Sequence, residues 1–368
     1  MLNQEIIRQR LHNQHISAAH RFTQPDQLVT WIGAVQAQDY PAAKWGISLR
    51  LPGTNGADIE KAIARRTIVR TWALRGTLHI LAAQDLRWIL ALIRPSVIPR
   101  HGPYNRRLGL DDTIFAHSQA VMEKALQGGK LLTRKELAAV LEENKIPTQE
   151  LRLNFLLYRA ALDGVICFGP LRGKQETITL LEEWLPHYPE KSREESLAEL
   201  AIRYFSSHGP ATVKDFAWWS GLTATDGKAA FELVKNQLTS TDENGNTYWQ
   251  GHDNPPATDF SSAVFLAPDY DEYLVGYADR QALLHPKIQT KVDLTFGLLS
   301  PTILIDGLIA GDWKRTFDKR NVVITCRPYY ALNANESEKV ETAANRFADF
   351  LRMPAVLKIK DQILNSQV

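Results

Sequence analysis

The same order of predicted elements occurs three times in the first two-thirds of the chain: three helices and then a β-hairpin. In the middle copy, helical periodicity covers residues 111–126, 132–144 and 148–164, and residues 165–181 follow as strand, turn and strand. Thr133 and Glu136 have the spacing of a capping box at the start of the second helix. This order is that of a winged helix, a module in which a hairpin packs beside three helices.

The other two copies keep this order with one difference. The third copy has predicted helices over residues 192–209, 211–221 and 225–238, and Asn244-Gly245 marks its hairpin turn. The first copy has predicted helices over residues 2–11, 25–35 and 57–66, and a hairpin over 69–81. A long insertion separates its second and third helices, where a winged helix normally has a tight turn. The insertion begins with VQAQDYPAAKWG, residues 35–46.

Beyond about residue 260 the pattern changes to short β-rich runs and then a predicted helix over residues 337–351. A length of 368 residues is enough for several domains. We therefore predict an α+β protein with three tandem winged-helix modules followed by a β-rich C-terminal domain. The predicted divisions are 1–105 for the first winged helix with its insertion, 106–190 for the second, 191–258 for the third and 259–368 for the C-terminal domain.

Basic residues are concentrated in one stretch, although the net charge of the chain is only +2. Asp85 is the only acid between residues 61 and 107, where the basic residues are Lys61, Arg65, Arg66, Arg70, Arg75, Arg87, Arg94, Arg100, Arg106 and Arg107. Such a stretch favours a polyanion such as DNA or RNA as the partner. The alternative is a solvated face whose acidic partners come from elsewhere in the chain.

The sequence gives little support to metal, disulfide or membrane classes. Cys167 and Cys326 lie far apart without a nearby histidine pair, so neither a disulfide framework nor a zinc site is indicated. Asp269, Asp271 and Glu272 form an acidic cluster, for which a loop at a domain junction is favoured over a metal site. No apolar run is long enough to cross a bilayer, and the N-terminus has no apolar signal core. We therefore expect a cytoplasmic protein with no membrane partner and no cofactor.

Two glutamines at the start of the insertion share a target only if the backbone is extended. The preceding helix is predicted to end at about residue 35 from the spacing of its apolar positions: Leu28, Trp31, Ile32 and Val35. Pro41 disfavours the helical region for Tyr40, so residues 36–40 are predicted to be extended. Side chains two apart then point to the same side, which places Gln36 and Gln38 together and Asp39 opposite. In a continued helix the two amides would diverge by about 200°.

An amide pair restricts the chemistry that such a site could perform. A side-chain amide has no useful pKa and cannot act as a general base. It can hold a water molecule, or it can stabilise developing charge as a fixed dipole. Such a site suits an activated substrate, and an N7-alkylated purine fits because its positive charge makes the base a good leaving group. No lysine stands out as a Schiff-base nucleophile, which agrees with attack by water.

Four segments form a recognisable series along nearly the whole chain: QAQDYPAAKWG (36–46), RTWALRGTLHIL (70–81), FLAPDYDEYLVGYADR (265–280) and PTILIDGLIAGDWKR (301–315). They resemble, in this order, the Q-x-Q catalytic motif, the R-x-T-L-H hairpin and the C-terminal region of the AlkZ-like bacterial DNA glycosylases. That family is built from tandem winged helices. The resemblance implies that Gln36 and Gln38 are catalytic, as in the Q-x-Q group and not its Q-x-D sister group.

The resemblance also implies a substrate and a reaction. The implied substrate is double-stranded DNA that carries N7-alkylguanine. The implied reaction is excision of the damaged base by monofunctional hydrolysis without metal, including the unhooking of interstrand cross-links. We expect a monomer that is associated with the nucleoid when bound to DNA. Because a cross-link makes full extrusion of a nucleotide costly, we expect an open, basic concave surface with the glutamines at its centre.

Five further residues are candidate DNA contacts. Arg70, Arg75 and His79 lie in the first hairpin, where His79 either meets a phosphate or caps the core. Strand alternation points Arg70 and Arg75 to opposite faces, so both need not touch DNA. Arg152 and Arg159 lie on the third helix of the second module, where phosphate contact is the expected role.

Some alternatives remain open at the level of sequence. Trp45 either stacks on a displaced base or packs in the core, and the core is favoured. The whole chain could be a tandem winged-helix transcription regulator, for which the glutamines would be expendable and dimer symmetry is usual. It could also be a structural or RNA-binding module in which the insertion is scaffold.

Overall fold

The elements of the first predicted module follow the predicted order and add two elements in the insertion. They are α1 (Gln4–Asn13), α2 (Pro25–Ile32), β1 (Val35–Gln36), α3 (Tyr40–Arg50), α4 (Gly56–Ala64), β2 (Ile68–Trp72) and β3 (Leu78–Ala82). These bounds come from a computed structural model, which describes residues 3–17, 22–257, 263–288 and 300–360. Helix α2 ends before the predicted residue 35 because Gly33, at φ 90°, turns the chain into β1.

Two helices that the sequence analysis does not predict lie between the first hairpin and the helices of the second module. These are α5 (Leu86–Val97) and α6 (Gly102–Arg107). The second module contains α7 (Asp112–Leu126), β4 (Leu132–Thr133), α8 (Arg134–Glu143), α9 (Arg152–Leu162), β5 (Ile166–Phe168), β6 (Thr177–Leu180) and α10 (Leu181–Trp184). The third contains α11 (Arg193–His208), α12 (Val213–Ser220), α13 (Ala224–Val234), β7 (Leu238–Glu243) and β8 (Asn246–Gly251). The capping box of Thr133 and Glu136 is confirmed at the start of α8.

The C-terminal region is a five-stranded sheet covered by a long helix. Its elements are β9 (Val264–Ala267), α14 (Glu272–Val275), β10 (Thr302–Ile305), β11 (Leu308–Phe317), β12 (Val322–Pro328), α15 (Ala334–Leu351) and β13 (Ala355–Ile359). The strand order is β13-β12-β11-β10-β9, and only the β12–β13 pair is parallel. The α+β class is therefore confirmed. None of the described helices is both long and apolar enough to span a membrane.

The hairpins of the first two modules join into one sheet. Its order is β1-β3-β2-β5-β6-β4, and β2 meets β5 where Arg70 lies opposite Phe168. The third hairpin, β7–β8, forms a separate two-stranded sheet. Strand β1 pairs with β3 so that Gln36 lies opposite His79, which places the first glutamine of the insertion at the edge of the shared sheet.

Apolar packing crosses the predicted divisions of the chain. Ile7 and Leu11 of α1 and Trp45 of α3 pack in the same cluster as Leu304 and Phe347 of the C-terminal region. The predicted boundary after residue 105 falls inside α6, and the one after residue 258 lies outside the described residues. The division into four domains stays a prediction. The buried contacts join the insertion to both ends of the chain.

Candidate active site

An open cleft of about 760 Å³ lies where the first hairpin faces α9, α12 and the residues around α14. The residues that line it include Gln36, Gln38, Trp72, Arg75, His101, Arg134, Phe155, Tyr158, Trp218, Tyr270 and Arg280. The turn of the first hairpin is wedged between two modules. A Cβ atom on Gly76 would lie 2.8 Å from the Tyr158 hydroxyl, and one on Gly221 would lie 2.7 Å from the Arg75 nitrogen. Only glycine permits so close an approach at these two positions, both of which have positive φ.

Both predicted catalytic glutamines face this cleft from an extended segment. Ala37 lies between them and is 0% exposed, while Gln36 is buried and Gln38 is exposed. The Ala37 amide donates to the Leu78 carbonyl at 2.7 Å, which continues the pairing of β1 with β3. The alternation of side chains along an extended chain thus brings both amides to one cleft, as their spacing predicts.

The end of the extended segment differs from the prediction by one residue. Helix α3 begins at Tyr40, with Pro41 in its first turn, so the expectation that Pro41 keeps Tyr40 out of the helix is wrong. Proline is well accepted in the first turn, where its missing N–H has no helical partner. Asp39 is the N-cap, and its Oδ1 accepts from the Ala42 amide at 2.9 Å.

Gln36 is held by two hydrogen bonds from different parts of the chain. Its backbone N–H donates to Oε1 of Glu272 at 2.6 Å, and its side-chain Oε1 accepts from Nη2 of Arg75 at 2.8 Å. Gln38 is held less firmly, because its Oε1 accepts a single long bond from the Leu78 amide at 3.4 Å. The first amide is therefore fixed in place, and the second is freer to follow a substrate or water.

Arg75 occupies the hairpin turn at φ 59° and bridges the first and third modules. Its Nη1 donates to the Trp219 carbonyl, while its Nη2, which binds Gln36, lies 3.5 Å from Nε2 of His79. Burial lowers the pKa of Arg75, and the charge of Glu272 opposes that effect. The guanidinium is committed to protein partners, and its predicted contact with DNA stays a prediction.

His79 is 0% exposed, as its core alternative expects, and its predicted contact with DNA stays a prediction. Its Nδ1 donates to the Thr77 carbonyl at 2.9 Å, which leaves Nε2 as an acceptor facing Arg75. Burial and the charge of Arg75 lower the pKa of His79 to about 4. The imidazole is therefore neutral near pH 7 and can support the guanidinium as an acceptor.

Glu272 supplies the buried negative charge behind the glutamines. It is 1% exposed, and its Oε2 accepts from Nε1 of Trp219 at 3.0 Å. Burial would raise the pKa of Glu272, but the neighbouring His208, whose Nε2 lies 3.6 Å from Oε2 of Glu272, and the charge of Arg75 outweigh that effect and hold the pKa at about 2. We call Gln36, Arg75, His79 and Glu272 the cleft floor.

The acidic cluster that contains Glu272 joins the insertion to the C-terminal region. Both carboxylate oxygens of Asp271 accept from Arg50 of α3 at 2.8 Å, and the two side chains are buried. Asp269 lies 3.8 Å from Arg315. Among the described residues, no group of histidine, cysteine, aspartate or glutamate side chains is arranged to hold a metal ion. The cluster acts as a junction that positions Glu272.

Arg70 supports the backbone of the insertion from below. It is 4% exposed, its Nε donates to the Ala37 carbonyl at 3.1 Å, and it forms an ion pair with Glu176. Its guanidinium also lies 5.0 Å from the ring centre of Tyr40. The side chain of Arg70 is thus engaged beneath the segment that carries the glutamines, and its predicted contact with DNA stays a prediction.

Arg152 and Arg159 are likewise engaged within their own module. Arg152 donates to the carbonyls of Pro147, at 3.0 Å, and Leu108. Arg159 donates from Nε to Asp163 at 2.7 Å. The structure shows these arginines bracing α9, and their predicted contact with phosphate stays a prediction.

Part of the basic stretch pairs with acidic side chains from outside it. Arg87 pairs with Glu182 at 2.9 Å and Arg94 with Asp163 at 3.6 Å. For these residues the alternative of acidic partners from elsewhere in the chain is correct. The pattern of charge along the sequence therefore overstates the free positive charge of the folded surface.

The cleft also contains exposed apolar side chains that the sequence analysis does not identify. Trp218 is 45% exposed in the cleft, with the Arg280 guanidinium 5.4 Å from its ring centre. On the opposite side, Tyr104 is 48% exposed and stacks on Phe155 at 5.8 Å, and Leu151 is 42% exposed. We call Leu151, Phe155 and Trp218, which line the cleft, and Tyr104, which stacks on Phe155, the cleft wall.

One signal could have identified the exposed tryptophan. Trp218 and Trp219 are adjacent in a helix, so only one of them can lie on its apolar face, and Trp219 is the one at 0% exposure. Trp45 is 2% exposed and donates from Nε1 to the Leu266 carbonyl at 2.7 Å, so its core alternative is correct.

Comparisons with known proteins agree on one family. The sequence profile of the family described as "DNA glycosylase AlkZ-like" matches residues 29–350. An interstrand DNA cross-link repair glycosylase from Streptomyces sahachiroi is 26% identical over 355 residues, which cover 90% of this chain and 93% of that protein. The solved structure of Streptomyces sahachiroi DNA glycosylase AlkZ superimposes with a TM-score of 0.76 at 23% identity, covering 97% of this chain and 99% of that one, and so shares its fold. The chain belongs to the AlkZ-like DNA glycosylase family.

Proposed function

We propose that this protein is a monofunctional DNA glycosylase that hydrolyses the N-glycosidic bond of N7-alkylated purines in double-stranded DNA, with Gln36 and Gln38 as its catalytic residues. The observation that carries the proposal is the convergence of these two amides in one cleft, above a fixed and buried network. The family relative from Streptomyces sahachiroi is named for repair of interstrand cross-links. We therefore include the unhooking of such cross-links in the proposed activity.

The proposed reaction needs no general base because the substrate carries its own activation. The bond between C1′ of the sugar and N9 of the purine breaks, and its electron pair neutralises the positive charge of the alkylated base. Water adds to C1′ and releases its proton to solvent, which leaves an abasic site and a neutral base. Gln36 and Gln38 would place that water and stabilise charge as the bond breaks.

The openness of the cleft suits a lesion that cannot leave the helix freely. A tethered nucleotide is costly to extrude fully, and a deep base pocket would require extrusion. A wide cleft of about 760 Å³ with exposed apolar side chains can accept a damaged base that remains joined to the other strand. We propose that the protein acts as a monomer on chromosomal DNA in the cytoplasm.

The test uses a duplex that carries a single N7-methylguanine. After incubation with the protein, alkali converts each abasic site to a strand break, and we expect breaks only with the lesion. The Gln36→Ala/Gln38→Ala variant should produce few breaks, whereas Gln127→Ala, which changes an exposed glutamine at the end of α7, should match the wild type. Binding to DNA without lesion-dependent breaks would favour the transcription regulator instead.

A further inference from the structure

The contact between Arg75 and Gln36 fixes which way the first amide faces. A guanidinium has only hydrogen-bond donors, so the atom of Gln36 that lies 2.8 Å from Nη2 of Arg75 must be the amide oxygen. The opposite orientation would place two donors against each other. Among the described residues, none accepts a hydrogen bond from Nε2 of Gln36, and the side chain lines the cleft. Gln36 thus offers the cleft its two N–H donors.

Gln38 differs from Gln36 because its amide oxygen is only weakly engaged by the protein. Its Oε1 has only the long contact of 3.4 Å with the Leu78 amide, and the side chain is exposed. An amide oxygen that is weakly engaged can accept a hydrogen bond from an attacking water. A donor such as Nε2 of Gln36 would instead bind a lone pair of the water and lower its nucleophilicity.

We infer that Arg75 is a positioning residue that locks Gln36 as a hydrogen-bond donor to the departing base and leaves Gln38 as the acceptor that orients the water. The inference rests on the proposed glycosylase function. Donation from Gln36 strengthens as the electron pair of the breaking bond moves onto the base, so it stabilises the transition state more than the substrate. The two glutamines therefore have different roles despite their identical chemistry.

Contacts on several sides give Arg75 the rigidity that such a role needs. It donates to the Trp219 carbonyl at the end of α12, faces Nε2 of His79, and is balanced by the charge of Glu272. These partners come from three separate parts of the chain. The donor orientation of Gln36 thus depends on the docking of the third module against the first hairpin.

A double-mutant cycle tests whether Arg75 acts through Gln36. Single-turnover rates and dissociation constants are measured on the N7-methylguanine duplex for the wild type, Arg75→Gly, Gln36→Ala and the double variant. Glycine suits the positive φ at this position, and Arg75→Lys is a second variant that keeps the charge without the fork of donors. We expect Arg75→Gly to slow bond cleavage by about 10–100-fold with unchanged DNA affinity, and the double variant to be no slower than Gln36→Ala.

Three results would overturn the inference. The effect of Arg75→Gly could persist in full when Gln36 is already alanine, or it could appear only as weaker DNA binding with a steeper loss at high salt. The first result would mean that Arg75 acts independently of Gln36, and the second would make Arg75 a DNA contact; in both cases the proposed function stands. A wild-type protein that releases no adduct removes the proposed function and this inference together.

Paired substitutions test the donor and acceptor roles separately. Glutamate keeps the shape of glutamine and its acceptor oxygens but loses both donors. We expect Gln36→Glu to lose as much of the single-turnover rate as Gln36→Ala, and Gln38→Glu to keep a clearly larger share of it than Gln36→Glu. The reverse order would assign the water to Gln36 and contradict the inference.

Discussion

The floor and the wall of the cleft are built in opposite ways. On the floor, Gln36, His79 and Glu272 are buried. Gln36 and Glu272 are held by hydrogen bonds of 3.0 Å or less to partners far along the chain, and His79 is held by one of 2.9 Å to Thr77 in its own hairpin. On the wall, Tyr104 and Trp218 are about half exposed and are held mainly by ring and guanidinium contacts. An amide cannot be tuned through its pKa, so its catalytic value depends on being fixed in advance. Lesions of varied shape are better met by exposed aromatic faces.

The largest expected effect is a slower cleavage of the glycosidic bond when Gln36 of the cleft floor is replaced by alanine. Gln36→Ala removes a positioned donor from a partly dehydrated site, so we expect the single-turnover rate to fall by about 10²–10³-fold. The measurement is release of abasic sites at saturating enzyme. A fall of less than about threefold would mean that the fixed amide has no special part in the chemistry.

The charge beneath the floor should matter for stability as well. Glu272→Gln keeps the shape of the side chain but leaves Arg75 without its buried counter-charge, and we expect a loss of roughly 3 kcal/mol in the free energy of unfolding. Urea denaturation measures it. Glu182→Gln is the matched control, because Glu182 pairs with Arg87 but its side chain is 58% exposed, so its loss should stay below about 1 kcal/mol. Equal losses would contradict the distinction between buried and exposed pairs.

Acidification should lower the free energy of unfolding through His79 in the cleft floor. The pKa of His79 is about 4 in the folded chain and 6.5 in a free histidine, so the unfolded chain binds more protons between these values. Stability should therefore fall as the pH drops from about 6.5 towards 4, by up to about 3 kcal/mol from this residue.

The control for this pH effect separates His79 from other histidines. In His79→Gln the slope of unfolding free energy against pH should flatten over this window, whereas in His187→Gln, which changes an exposed side chain, it should not. The carboxylate of Glu272 adds a further loss only below about pH 4.5, because its pKa is lowered to about 2. An unchanged slope in His79→Gln would show that His79 is not buried in its neutral form.

A smaller effect, on binding alone, is expected at the wall. Trp218→Ala removes an exposed aromatic face that can stack on a base, and we expect DNA affinity to fall by about tenfold. Trp218→Phe keeps an aromatic face and should retain most of that affinity. The measurement is fluorescence anisotropy with the lesion duplex, and a Phe variant as weak as the Ala variant would argue against stacking.

The smallest effect is expected next to the catalytic segment but off the cleft. Asp39→Asn should change activity by less than about twofold, because the carboxylate caps α3 and asparagine is an equally good cap. A large loss in the abasic-site assay would bring the Asp39 carboxylate into the chemistry.

What the sequence could predict is what short-range periodicity and capping determine. The helix that follows Thr133 is recognisable from the sequence because it begins with a capping box. The common orientation of Gln36 and Gln38 followed from the period of an extended chain. Asp39 before Tyr40-Pro41 is also a signal for the start of a helix. The prediction omits α3 because it considers only the effect of Pro41 on Tyr40 and not the capping by Asp39.

The rest depends on residues that only the fold brings together. Nothing near Arg70 or His79 in the sequence shows that they are buried, since that follows from the pairing of β1 with β3 and of β2 with β5. Glu272 reaches Gln36 across 236 positions. Such contacts leave no local pattern, so the burial of Arg70 and His79 could not be predicted from the sequence around them.

The most direct test of the account measures rate and affinity in parallel on one lesion duplex for Gln36→Ala and Trp218→Ala. The account predicts that Gln36→Ala lowers the single-turnover rate with an unchanged dissociation constant. It predicts that Trp218→Ala raises the dissociation constant and cleaves at nearly the wild-type rate once enzyme is saturating. If Gln36→Ala cleaves at the wild-type rate, or if both variants change only binding, the floor does not perform the chemistry and the account is contradicted.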